Sequence, residues 1–157
     1  MLISDLAKYS QEVLQQELTV TARQIGANMF RNKQVVSGRT RDSLRVESKP
    51  YSGAIYGAEH IDTLEKGISP ERSRMRTLGH VRSKLAIWVQ MKGGFSFNRG
   101  INEQQWAYLA AKKQQIVGSV LYRLGGRTDV YSSEVDPLLK RISDRIGEGF
   151  VTVKILE

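Results

Sequence analysis

The chain contains no cysteine. A disulfide framework, a thiolate zinc site and a cysteine nucleophile are therefore excluded. Histidine is nearly as scarce. His60 and His80 are the only two, too few for a histidine-rich metal site. No apolar run approaches the ~20 residues that cross a bilayer, so no membrane partner is expected. The start, MLISDLAKYSQEV, lacks the basic region, apolar stretch and small-residue cleavage site of a signal peptide. A reducing, aqueous compartment is the expectation.

Catalytic signatures are missing too. The chain has no G-x-x-x-x-G-K-[ST], G-x-G-x-x-G, H-E-x-x-H or G-x-S-x-G. No catalytic residue, cofactor or resident metal is expected. Glu59, Asp62 and Glu65, with His60 beside them, could in principle hold Mg2+ for a nuclease. Spaced three apart, they read better as a solvated acidic helix face, or as a pairing site for the arginines of a neighbouring subunit. The Trp88 and Trp106 faces read as core rather than as ligand boxes.

What is present is positive charge on an otherwise ordinary soluble chain. Hydrophobic residues make up 40% of the 157 and charged residues 25%, enough for one domain with one core. The net charge is +8, which favours polyanionic or acidic partners. The surplus is local, with seven basic residues against one acidic over 71–100. The cations expected to touch nucleic acid or an acidic partner are Arg72, Arg74, Arg76, Arg82 and Lys84, together with Arg39 and Arg41 in the turn SGRTRDSL. Aromatic residues are not interleaved with them, so stacking on single strands is not supported. A phosphate contact without base reading is the expectation.

The apolar spacing predicts one helix over 4–32. Leu6, Tyr9, Val13 and Val20 are set at helical intervals, and Leu14, Leu18, Ile25 and Met29 widen the stripe. The β-branched Thr19-Val20-Thr21 marks an expected weak point. Residues 44–48 and 54–58, joined by Lys49-Pro50-Tyr51-Ser52-Gly53, predict a β-hairpin. Glu59 to Lys66 reads as a helical turn ended by Gly67, and 68–79 as the least structured stretch. Helices follow at 81–91, with Val81, Leu85 and Trp88 on one face, and after Asn102, whose pairing with Gln105 is a capping box. The second of these is expected to bury Trp106, Leu109, Ile116 and Val117. Asp136-Pro137 predicts a last helix to Gly147, lined by Leu138, Ile142 and Ile146. The alternating Val151, Val153 and Ile155 predict a final strand. The fold class is α+β: one domain over 1–157, with a long N-terminal helix on a small antiparallel sheet made of the hairpin and the C-terminal strand. A helical insertion spans 78–127.

The first half carries a resemblance. The long helix is followed by Ser37-Gly38-Arg39-Thr40-Arg41-Asp42-Ser43-Leu44, a hairpin, and Ile61-Asp62-Thr63-Leu64-Glu65-Lys66-Gly67. This order resembles the tail-completion, or head–tail joining, proteins of tailed bacteriophages. Their pattern is a Gly-x-Leu-x-x-Ser turn, two strands and a Tyr-Ala-x-x-x-Glu-x-Gly element. The chain departs from it at Thr40, where leucine is usual, and at His60-Ile61, which replace Tyr-Ala.

The resemblance implies a virion structural protein without catalysis. It implies a ring at the neck or tail end, as a hexamer or dodecamer, assembled in the cytoplasm of a bacterial host. Other phage neck, tail and portal proteins and the packaged double-stranded DNA are the partners that follow. Glu65, Val151, Val153 and Ile155 are expected at subunit contacts, the last three as a strand added to the next subunit's sheet edge. The alternative from the charge alone is a free basic nucleic-acid-binding protein.

Overall fold

The computed structural model describes residues 3–34, 37–94 and 100–155, of which 3, 4 and 150–155 as backbone alone. The chain divides into two compact units. The first takes residues 1–59 and 128–157, and the second residues 60–127.

The first unit is organised by α1 (Ile3–Arg31), a 29-residue helix about 43 Å long at ~1.5 Å per residue. It passes Thr19-Val20-Thr21 without a break. Val13, Leu14, Leu18, Ile25 and Met29 are buried along one side, as their spacing predicts, while Val20 lies off that stripe and is exposed. A short turn of helix, α2 (Arg39–Asp42), leads from Gly38 into β1 (Arg45–Lys49) and β2 (Ser52–Tyr56). The two strands are antiparallel, with Val46 opposite Ile55 and Lys49 opposite Ser52. Pro50 and Tyr51 make the two-residue connection. The hairpin lies on α1: Ser10 donates to the Pro50 carbonyl, and the Gln11 amide to the Ser48 carbonyl at 3.2 Å.

Across another side of α1 runs α8 (Val135–Ile155), entered through a 3-10 turn at Ser132–Glu134. Here the structure corrects two expectations. The helix starts a residue before Asp136-Pro137, and it continues through Gly147 to Ile155. No C-terminal strand is present among the described residues, and the sheet has two strands, not three. The physical reason is continuity. Leu138, Ile142 and Ile146 already commit the chain to a helix on α1, and extending it adds one hydrogen bond per residue without a new nucleus. Five alternating residues offer no comparable gain without a strand to pair with. Gly149 is kept small by contact: a Cβ there would stand 2.4 Å from a ring carbon of Tyr9. The Tyr9 hydroxyl donates to the Arg145 carbonyl at 2.9 Å.

The second unit is helical: α3 (Thr63–Lys66), α4 (Pro70–Arg74), α5 (Leu78–Met91), α6 (Glu103–Val117) and α7 (Val120–Arg123). Val81, Ala86 and Val89 of α5 are buried, as are Ala107 and Ala111 of α6. The small alanines, not the large residues, form the inner stripe of α6. Leu109, Ile116 and Val117 face outward, and on α5 Trp88 is 40% exposed. The capping box of Asn102 and Gln105 is formed as expected, with both reciprocal bonds present. Ser119 ties the segment before α4 to α7, because its hydroxyl accepts from the Ile68 N–H at 2.9 Å and from the Tyr122 N–H at 3.2 Å. Arg127 N–H closes the unit on the Glu65 carbonyl at 2.9 Å.

Candidate polyanion-binding surface

The stretch expected to be least structured, 68–79, is built. Ser69 caps α4 by accepting from the Arg72 N–H, with Pro70 at the first helical position, and Thr77 caps α5 by accepting from the His80 N–H. These caps set the directions of the arginines, which therefore are not equivalent. Arg72 is fixed by a 2.8 Å ion pair to Asp62. The hydrogen bond from Arg72 is the main cause that holds the Asp62 carboxyl below its ordinary pKa, against a smaller opposing effect of burial. Arg74 lies 3.4 Å from Glu71 across one turn of α4. Arg76 and Lys84 are exposed and make no ion pair among the described residues. Arg82 reaches the Gln104 side chain at 3.3 Å and borders an open depression of about 630 Å3, also lined by Asn102, Tyr108 and Leu109.

The acidic trio is not gathered. Glu59 falls in the first unit and Asp62 in the second, where it is turned to Arg72. Glu65, expected at a subunit contact, is only 3% exposed within the second unit. Among the described residues no group of three His, Asp or Glu is arranged to hold a metal ion.

Arg39 and Arg41 belong to the first unit. Arg39 donates to the Ser37 hydroxyl at 3.3 Å, and Arg41 pairs with its neighbour Asp42 at 2.7 Å. Val151, Val153 and Ile155 lie on α8 rather than on a strand, so strand addition by this segment is withdrawn. Their side chains, and with them the contacts expected of these residues, lie outside the described residues.

Sequence reasoning by blocks of residues missed how the charge divides once the chain is folded. The first unit holds 12 basic and 12 acidic residues and is neutral. The second holds 12 basic and 4 acidic, a net +8, which is the whole surplus of the protein. In the first unit two of the arginines converge on one carboxylate. Arg141 and Arg145 both close on Glu17 at 2.8 Å, and Arg141 also donates to the Thr21 hydroxyl at 2.7 Å. Finding this from sequence would have required knowing that 128–157 returns to pack on α1.

No family model, no curated protein and no solved structure matches the chain. No helix among the described residues is long and apolar enough to cross a membrane.

Proposed function

We propose that the protein is a non-catalytic structural subunit of a tailed-phage virion, one copy of a ring at the neck or tail end around the DNA channel. The second unit is then the cationic part that meets either duplex phosphate or an acidic neighbour. The observation that carries this reading is the division of charge: a unit with as many acidic as basic residues, in which Arg41, Arg45, Arg141 and Arg145 lie against carboxylates, and a unit that holds the entire net +8. Arg76 and Lys84 are exposed cations without an ion pair among the described residues, while Arg72 is part of the scaffold through Asp62. The setting in a virion comes from the resemblance of the Gly38–Ser43 turn, the hairpin and the Leu64–Gly67 element.

The alternative, a free basic nucleic-acid-binding protein, draws on the same charge. Imaging the purified chain, alone and with neck and portal components, separates the two. Closed rings support the virion reading. A chain that remains single with those components, yet binds duplex DNA tightly and with steep salt dependence, supports the alternative.

A further inference from the structure

We propose that a second copy of this chain adds its β1 to the open edge of β1, antiparallel and about a two-fold axis at Val46, so that two hairpins become one four-stranded sheet. This goes beyond the ring reading and does not rest on it.

The edge is open. The sheet has the order β1-β2, and no third strand pairs with β1 among the described residues. In an antiparallel ladder the peptide groups of alternate residues point away from the partner strand. The Ser48 carbonyl accepts from Gln11 on α1, so Ser48 is one of those residues, and Val46, two positions back, is another. Beside this edge runs a groove of about 700 Å3. Ala22 and Gly26 of α1 form one wall, Leu44 and Val46 the other, and Phe30, 72% exposed, stands at its rim. A strand laid along β1 fills this space, and a two-fold axis places both α1 helices on the same face of the joined sheet.

The charges on β1 choose the occupant and the register. Val46 and Ser48 are half-buried toward α1, whereas Arg45, Glu47 and Lys49 point outward. Directly opposite residues share a face, so a second β1 has only a few registers that keep Val46 inward. With the axis at Val46, each Arg45 lies opposite the copy's Glu47, and Val46 meets Val46. With the axis at Glu47, carboxylate meets carboxylate and Arg45 meets Lys49. With the axis at Arg45, the two guanidinium groups meet. With the axis at Ser48, Pro50 enters the ladder without an N–H. One register satisfies both faces, and opposite charges directly across a ladder stabilise it while like charges do not. Within one chain Arg45 lies 3.8 Å from Glu47 and 5.2 Å above the Tyr56 ring, and both charged side chains are largely exposed, so the turn to a partner exchanges one long ion pair and one solvent-exposed ring contact for a facing pair.

Because the chain has no cysteine, a single introduced one reports the contact cleanly. Facing residues of an antiparallel pair have Cα atoms about 4.5–5.5 Å apart, within disulfide range. Full-length Val46→Cys is expected to form a covalent dimer on mild oxidation, and Glu47→Cys is not. Arg45→Glu alone and Glu47→Arg alone should each loosen the dimer by about tenfold, since each turns both symmetric pairs into like-charge pairs. The double exchange restores the pairing, which a fold defect would not do, and circular dichroism checks that each variant is folded. Sedimentation of the native chain as a monomer at about 100 μM, where even a weak interface is populated, overturns the proposal. So does cross-linking of Glu47→Cys in place of Val46→Cys. Rings that form without the Val46→Cys cross-link overturn this contact while leaving the ring reading intact.

Discussion

The carboxylate of Glu17 on α1 meets Arg141 on α8 at 2.8 Å, and the same carboxylate holds Arg145 at an equal distance. Glu17 is 8% exposed, yet its two partners keep their outer edges in water. One buried charge thus fixes two partly solvated ones, and the arrangement joins residues 124 and 128 positions apart in sequence.

Glu17→Gln removes the anion and leaves two cations facing a neutral amide. A loss of about 2 kcal/mol in unfolding free energy is expected, below the full cost of breaking a buried pair because both arginines retain solvent access. Urea unfolding of the two proteins at neutral pH measures it.

The same site sets an acid limit. The hydrogen bonds from Arg145 and then Arg141 hold the Glu17 carboxyl below its ordinary value of 4.5. Its contribution to stability is therefore full above that value and is lost as pH falls through the lower folded one. Below about pH 4 the native protein should lose stability more steeply than Glu17→Gln, and the two stability curves should converge. A gap that stays constant with pH would assign the effect to packing instead.

Two glycines of α8 should respond with opposite signs to the same change. Gly149→Ala drives a methyl into the Tyr9 ring, 2.4 Å away, and is expected to cost about 1–3 kcal/mol despite better helix propensity. Gly147→Ala meets nothing within 4 Å and should gain roughly 0.5–1 kcal/mol. Thermal melts of both variants test the continuity of α8 through a position the sequence marks as its end.

In the second unit the cap at Asn102 is separable from the basic surface. Asn102→Ala removes a bond to the Gln105 N–H at 2.9 Å and should cost about 1 kcal/mol without altering any cation. Denaturant unfolding followed by tryptophan fluorescence reads this, since Trp106 lies on the same helix.

The cations between Arg72 and Lys84 should not behave alike in binding. Removing Arg76 and Lys84 together should lower the salt dependence of duplex DNA binding by about two in the log–log slope if both meet phosphate. Arg72→Gln should instead lower stability, because it abandons Asp62. Titrations at several salt concentrations, set beside melting curves, distinguish the two.

Much of this architecture was legible in the residues. The α1 stripe, the hairpin around Pro50, the end of α3 at Gly67 and the capping box at Asn102 follow from local chemistry and are present, although the strands run over 45–49 and 52–56 rather than 44–48 and 54–58 and α3 starts at Thr63 rather than Glu59. The failures share a cause. On α6 large apolar residues read as core, but Ala107 and Ala111 are the buried ones, since close packing against α5 leaves room only for small side chains. The 151–155 alternation read as a strand, but its backbone continues a helix begun 16 residues earlier. The segment 70–74 read as loop because its cap, Ser69, is followed by arginines that obscure any apolar period. The candidate surface was half visible: the cations were evident, but which of them are committed to Asp62 or Glu71 depends on a fold in which side chains find one another.

Lodging every surplus cation within residues 60–127 has an effect before any contact is made. In the field of a nucleic acid or an acidic wall, one portion of the molecule is pulled and the other feels almost nothing. Approach is then biased toward a single presentation, and the neutral portion arrives unencumbered, with its surfaces still available for building.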